Sequence, residues 1–230
     1  MIRAATQAPQ GPSLTRWSSR RRLQTEAHSR CRAQFSRSCP EPQGRRSPLH
    51  VGDLAGLIAA QLDIDRPDRL LVAHAGVVHD LGKLGLSPAI LAEPGPLTPE
   101  ERVEVERHPV IGAEVLLSIS ADLAPMAAGV RAHHERWDGT GYPDGLAGEE
   151  IPLFGRLLAV VDVYDALTHP RIYRKAVYTR SRARAYLEEH AGTHFDAECV
   201  SASLDILRAK ARGRTRPVSL RPQAVPRRRR

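Results

Sequence analysis

The sequence predicts an all-α fold. Between residues 47 and 207 apolar residues recur at steps of three and four, residues that start and stop helices punctuate them, and no convincing run alternates with the period of two expected of a half-buried strand. Leu54, Leu57, Ile58 and Leu62 form the first apolar stripe. Leu70, Leu71, Ala73, His74, Val77, Val78 and Leu81 form the second, which Gly82 is expected to end. Thr98-Pro99-Glu100-Glu101 is a helix start: Thr98 can accept from the N3 amide, Pro99 suits N1, and Glu101 can reach back to the cap. That helix should run to about His108, and Pro109 opens the next, which carries Ile111, Val115 and Leu116. A further helix is expected over 123–134, followed by a turn-rich loop over 135–150 with Asp138-Gly139, Gly141 and Pro143-Asp144-Gly145. Residues 151–167 form the most apolar helix. Two more, over 180–190 and 196–210, are separated by Gly192.

Charge divides the 230 residues into three parts. Residues 1–46 hold ten Arg, no Lys and two Glu, and residues 208–230 hold nine Arg and one Lys with no acid. The formal charge of +8 therefore belongs to the ends, and residues 47–207 are acidic. An acidic middle argues against a nucleic-acid-binding domain. The two ends read as solvated, disordered tails outside the fold. The first, Arg- and Ser-rich and acid-poor, mimics an organelle transit peptide, and a start site upstream of the true domain would suit the same composition. No window approaches the ~18–20 apolar residues of a membrane span, and no apolar run follows Met1, so a soluble cytoplasmic protein is expected. Cys31, Cys39 and Cys199 are odd in number and lack C-x-x-C spacing, which fits reduced thiols.

The chemistry-bearing residues gather at predicted helix ends. His79-Asp80 follows the second stripe, His108 ends another helix and His133-His134 a third. Asp162 stands inside Leu157-Leu158-Ala159-Val160-Val161, where a carboxylate needs a cation, a donor or a proton. Taken singly, each of these has an ordinary structural explanation as a cap, a surface group or a satisfied buried acid. Together, imidazoles and carboxylates delivered to one place are what a divalent metal site requires.

Two ordered motifs sharpen this. His79-Asp80-Leu81-Gly82-Lys83 and His133-His134-Glu135-Arg136-Trp137-Asp138-Gly139-Thr140-Gly141-Tyr142-Pro143 resemble the HD-GYP group of the HD phosphohydrolase superfamily. The resemblance runs from about 47 to 207 and takes in Leu97-Thr98 through His108-Pro109, Asp162 through Thr168, Arg171-Ile172-Tyr173-Arg174 and Gly192 through Asp196. It implies an HD-type helical bundle with two, sometimes three, metal ions, iron or manganese suiting the mixed ligands best. By position, His79, Asp80 and Asp162 would serve one ion, and Asp80 would bridge to a second held by His108, His133 and His134. A water shared by two cations loses its proton readily and can attack phosphorus. The substrate so implied is cyclic di-GMP, opened to a linear dinucleotide and in some members cut on to GMP. Lys83 matches a lysine that stabilises a phosphate oxygen or the leaving group, and Arg171 and Arg174 match residues that grip the phosphates. Tyr142 either contacts substrate or packs the loop. Asp165 is expected to brace a ligand. The partners implied are cyclic di-GMP and, at one remove, a diguanylate cyclase domain or a second copy of the chain.

The match departs at the first helix, where relatives carry another histidine. The ungapped register, which is favoured, puts Ser47 there and His50 three residues on; a register with a three-residue deletion makes His50 the ligand. Gln43 falls where some relatives carry a glutamate for a third ion. Loss of that histidine should weaken the first metal site. The alternatives to an active cyclic-di-GMP phosphodiesterase are therefore a catalytically impaired binding module and a phosphohydrolase for another nucleotide.

Overall fold

A computed structural model of the chain describes residues 48–92, 95–169 and 177–212. Gln43, Ser47, Arg171 and Arg174 lie outside the described residues, as does the side chain of His50. The described residues are helical, with no strand among them: α1 (Pro48–Gln61), α2 (Arg66–Val78), a 3-10 turn (Leu81–Gly85), α3 (Pro88–Ala92), α4 (Pro99–Val105), α5 (His108–Ile119), α6 (Ala124–Arg131), α7 (Leu153–Thr168), α8 (Arg180–Glu189) and α9 (Ala197–Ala211). None is long and apolar enough to cross a membrane. The all-α expectation holds.

Helix α7 is the central post. It packs against α1, α2, α6, α8 and α9, and Leu157, Leu158, Val160 and Val161 on it are almost wholly buried. A helix covered on so many sides has no polar face, as its near-continuous apolar run implied. α1 and α2 meet at their glycines: a Cβ on Gly76 would sit 2.9 Å from the Gly52 Cα. This close approach fixes the last turn of α2, and with it the position from which His79 leaves the helix.

Several helix starts follow local chemistry. Asp65 caps α2 by accepting the Asp68 N–H at 3.0 Å. Thr98 and Glu101 form the expected reciprocal box, with Glu101 N–H on Thr98 Oγ1 at 3.2 Å and Thr98 N–H on Glu101 Oε2 at 2.9 Å.

Three ends differ from expectation. α2 stops at Val78 rather than Gly82, α4 at Val105 rather than about His108, and α6 at Arg131 rather than His134. In each case the histidine stands just past the helix. At α4 the cause is Pro109, which has no N–H to give the Val105 carbonyl, so that carbonyl is left for another donor. Gly82 is not the stop of α2 either. It lies in the 3-10 turn, where a Cβ would overlap the His108 carbonyl oxygen and come 2.7 Å from the Gly112 amide nitrogen. Its function is to let that turn lie against α5. Gly82→Ala should therefore cost about 1–3 kcal/mol by overpacking, read as a lower denaturant midpoint at unchanged slope. A midpoint within error of wild type would contradict the backbone contact.

Candidate metal centre

The centre is assembled from the ends of α2, α4 and α6. A helix leaves its last carbonyls without intrahelical donors, and three histidines use them in the same way. His79 Nδ1 donates to the Gly76 carbonyl at 2.8 Å, His108 Nδ1 to Val105 at 2.7 Å, and His133 Nδ1 to Val130 at 2.6 Å. A carbonyl only accepts, so each Nδ1 carries the proton and each Nε2 is left to face the site. All three rings are buried. The partial negative charge of helix C-termini adds to a site that favours cations.

The Nε2 atoms converge. His108 Nε2 lies 3.4 Å from His133 Nε2, and the ligand atoms of His108, His133 and His134 all fall within 4.8 Å of one another. Asp80 Oδ1 is 3.4 Å from His108 Nε2, so the carboxylate joins this trio to His79. His79 Nε2 in turn stands 3.6 Å from both Asp80 Oδ2 and Asp162 Oδ1. Lys83 places its ammonium 2.7 Å from Asp80 Oδ2. His79, Asp80, Lys83, His108, His133, His134 and Asp162, spread over 84 residues of sequence, are thus brought to one place.

The donor set fits a metal. With both Nδ1 atoms committed to carbonyls, His108 and His133 bring their Nε2 atoms within 3.4 Å of each other, a spacing that a shared cation would suit. Burial, reinforced by the neighbouring imidazoles of His134 and His79, pushes His133 well below its ordinary range, so it is neutral and ready to ligate. Burial also holds His134 down at about 4. His79 behaves oppositely: burial would lower it, but the charges of Asp80 and Asp162 outweigh burial and carry it up to about 9. Both carboxylates are correspondingly held low against the opposing effect of burial. Metal-free, the His79 proton stands in for the cation between the two acids, and an ion bound there would displace it.

The glycine-rich loop that follows His134 is tied to the centre at several points. Tyr142 stacks on the His134 ring with centroids 4.8 Å apart at 29°, and its N–H donates to the His134 carbonyl at 3.3 Å. Of the two uses expected of Tyr142, packing is therefore realised, against a metal-ligand candidate. Glu135, a residue the sequence did not single out, organises the loop. Buried, its carboxylate accepts the backbone N–H groups of Asp144, Gly145 and Leu146 at 2.7, 3.1 and 3.1 Å. The signal for it was an acid wedged between two histidines and a run of glycines, where a tight turn exposes several amides. Gly141 must come within 2.5 Å of the Glu135 Cα if given a Cβ, so only glycine fits the loop closed in this way. Trp137 and Asp138 donate their N–H groups to the carbonyls of His194 and Thr193, which docks the loop on the segment between α8 and α9. Asp165, buried one turn from Asp162, has its carboxylate 3.0 Å from His169 Nδ1.

These protonation states predict a pH profile for the metal-free protein. Below 6.5 the unfolded chain takes up protons at His133 and His134 that the folded protein refuses until much lower pH, about 4 for His134, so stability falls as pH drops through that window. His79 contributes stability below 6.5 that is lost as pH rises toward about 9. Chelated protein should therefore unfold at the highest urea concentration near pH 6.5, and His134→Ala should flatten the acid limb. An acid limb as steep as wild type in that variant would contradict the assignment.

Known proteins share the family and the fold. A family model described as "HD domain" matches residues 18–199, beginning inside the Arg/Ser-rich segment. The chain is 42% identical over 155 residues to a cyclic di-GMP phosphodiesterase response regulator, RpfG, of Xanthomonas campestris pv. campestris, a match covering 67% of this chain and 41% of that protein. It is 43% identical over 148 residues to 3'3'-cGAMP-specific phosphodiesterase 3 of Vibrio cholerae, covering 64% of this chain and 31% of that one. The chain thus spans less than half the length of either relative. A crystal structure of a cyclic GMP-AMP-specific phosphodiesterase of V. cholerae superposes with a TM-score of 0.55 at 19% identity, over 70% of this chain and 44% of that one, which shows the shared fold. On the family match, the ordered motifs and the helical architecture, the chain belongs to the HD domain family, in its HD-GYP group.

Proposed function

We propose that this chain carries a metal-dependent phosphodiesterase activity toward cyclic di-GMP, opening it to the linear dinucleotide, with further cleavage to GMP open to the same site. The observation that carries this reading is the convergence of His108, His133 and His134 within 4.8 Å, with Asp80 joining them to His79 and Asp162. The names of the relatives support the substrate class.

In this reading His79, Asp80 and Asp162 hold one divalent ion, and His108, His133, His134 and the shared Asp80 hold the other. Mixed imidazole and carboxylate donors suit iron or manganese. Such ions supply Lewis acidity toward phosphate oxygens and make water a nucleophile near neutral pH. The protein's own groups do the rest. The Nδ1–carbonyl bonds fix the direction of three imidazoles before any ligand arrives, which spares reorganisation during the reaction. Lys83, already beside Asp80, is placed to neutralise charge on a phosphate oxygen or on the leaving alkoxide. Tyr142 braces His134 and borders the space a substrate would enter. Arg171 and Arg174 are assigned to the phosphates, which arginine grips in bidentate fashion. Two neighbouring readings have specific support. The cyclic GMP-AMP enzyme among the relatives favours a second substrate, and Ser47 at the first-helix ligand position favours an impaired, ligand-binding domain that signals to a diguanylate cyclase or a second copy.

Protein loaded anaerobically with iron or manganese should hold two ions per chain and convert cyclic di-GMP to the linear product. His79→Ala and Asp80→Ala should each lose metal and reduce turnover by about a hundredfold or more. Unchanged metal content in either variant overturns the ligand assignment. Hydrolysis confined to other nucleotides, or binding of cyclic di-GMP without turnover, would move the conclusion to one of the alternatives.

A further inference from the structure

Beside the histidines lies an open cleft of about 410 Å³ lined by Pro96, Leu97, Arg102, Val105, Glu106 and Tyr142, within the range of roughly 300–1,000 Å³ typical of small-ligand sites. It adjoins the metal centre at two points. Tyr142, one wall, has its ring on His134, and Val105, another, gives its carbonyl to His108 Nδ1. A group seated here is therefore next to the reacting phosphate rather than remote from it.

The lining distinguishes a base from a phosphate. Pro96, Leu97, Val105 and the Tyr142 ring provide apolar and aromatic surface. The polar part is a single ion pair, Arg102 Nε on Glu106 Oε1 at 2.9 Å, which brings no net charge and places a carboxylate where an anion would be repelled. An uncharged, flat, aromatic ring suits such a surface, and the edge of that ring must face the pair. Guanine presents an acceptor, O6, beside two donors, N1–H and N2–H. Adenine presents a donor beside an acceptor, N1. An arginine next to a glutamate offers donors beside acceptors, and an ionised carboxylate can only accept. With the guanidinium on O6, the carboxylate accepts from guanine N1–H and N2–H; adenine held in that register sets its amino group against the guanidinium and its N1 lone pair against the carboxylate. Glu106 Oε2 has no protein donor among the described residues.

We infer, on the reading that the chain acts on cyclic dinucleotides, that this cleft seats one base of the substrate and that Glu106, with Arg102, is the guanine-specificity determinant. The assignment favours cyclic dinucleotides with at least one guanine and disfavours those with none. A site that hydrogen-bonds an edge rejects the analogue lacking it more strongly than an apolar pocket rejects a change of size.

The test is equilibrium binding of hydrolysis-resistant phosphorothioate analogues of cyclic di-GMP and of cyclic di-AMP to the metal-loaded full chain, as wild type and as Glu106→Gln, with metal content and unfolding midpoint recorded for both. Wild type should prefer cyclic di-GMP. Glu106→Gln, which puts an amide NH₂ against guanine donors, should weaken cyclic di-GMP about tenfold or more and leave cyclic di-AMP unchanged or tighter, so that the preference collapses. Arg102→Ala, at a side chain that is 73% exposed, probes the same edge should Glu106→Gln fail to fold, and should also lower the preference. An unchanged preference in the folded variants overturns the specificity inference and leaves the phosphodiesterase reading standing. Loss of metal in Glu106→Gln would show that Glu106 acts through His108 and also overturns it. Failure of wild type to bind either dinucleotide overturns both.

Discussion

The structure of the site depends on one local device used three times: a histidine just past a helix end gives its Nδ1 proton to a carbonyl the helix has left without a donor. Gly76, Val105 and Val130 supply those carbonyls. The bond settles which nitrogen is protonated, fixes the ring plane, and turns Nε2 away from the helix. Without it an imidazole on a short turn would sample several rotamers and either tautomer. With it, three Nε2 atoms are held in buried positions before a ligand binds.

Holding them there creates an electrostatic imbalance. Burial disfavours unmatched charge, so two carboxylates around His79, beside imidazole Nε2 atoms 3.4 Å apart, are tolerable only if positive charge is present. In the metal-free protein the His79 proton and the Lys83 ammonium provide part of it. Asp162 can sit on the buried post α7 for the same reason: its charge is matched, not solvated. On the proposed reading metal affinity and fold are linked, because the residues that would hold the ion stand at the ends of the helices that build the core.

Close backbone approaches set the distances between those ends. Gly52 with Gly76 joins α1 to α2, and Gly82 with the His108 carbonyl and Gly112 joins the 3-10 turn to α5. The second contact brings Asp80 within reach of His108. Glu135 does the corresponding work for the loop, gathering three amides around one carboxylate so that Tyr142 closes onto His134.

Much of this was legible in the sequence where the cause is local. The Thr98–Glu101 box and the break at Pro109 involve residues within a few positions of each other, and hydrogen bonds over that span are encoded by the residues themselves. The apolar run of α7 announced a buried helix, and the two histidine motifs announced the family. Other features were decided only by tertiary structure. Gly82 read as a helix stop and is a contact glycine. Glu135 was passed over because its three donors are nine to eleven residues away. Sequence alone determined the all-α class, the residue types of the centre and the short-range bonds that aim them. Convergence of His79, His108, His133 and Asp162 on a common space came from the packing of α2, α5, α6 and α7, because the direction of a side chain is a local property while the distance between two helix ends depends on the core that separates them.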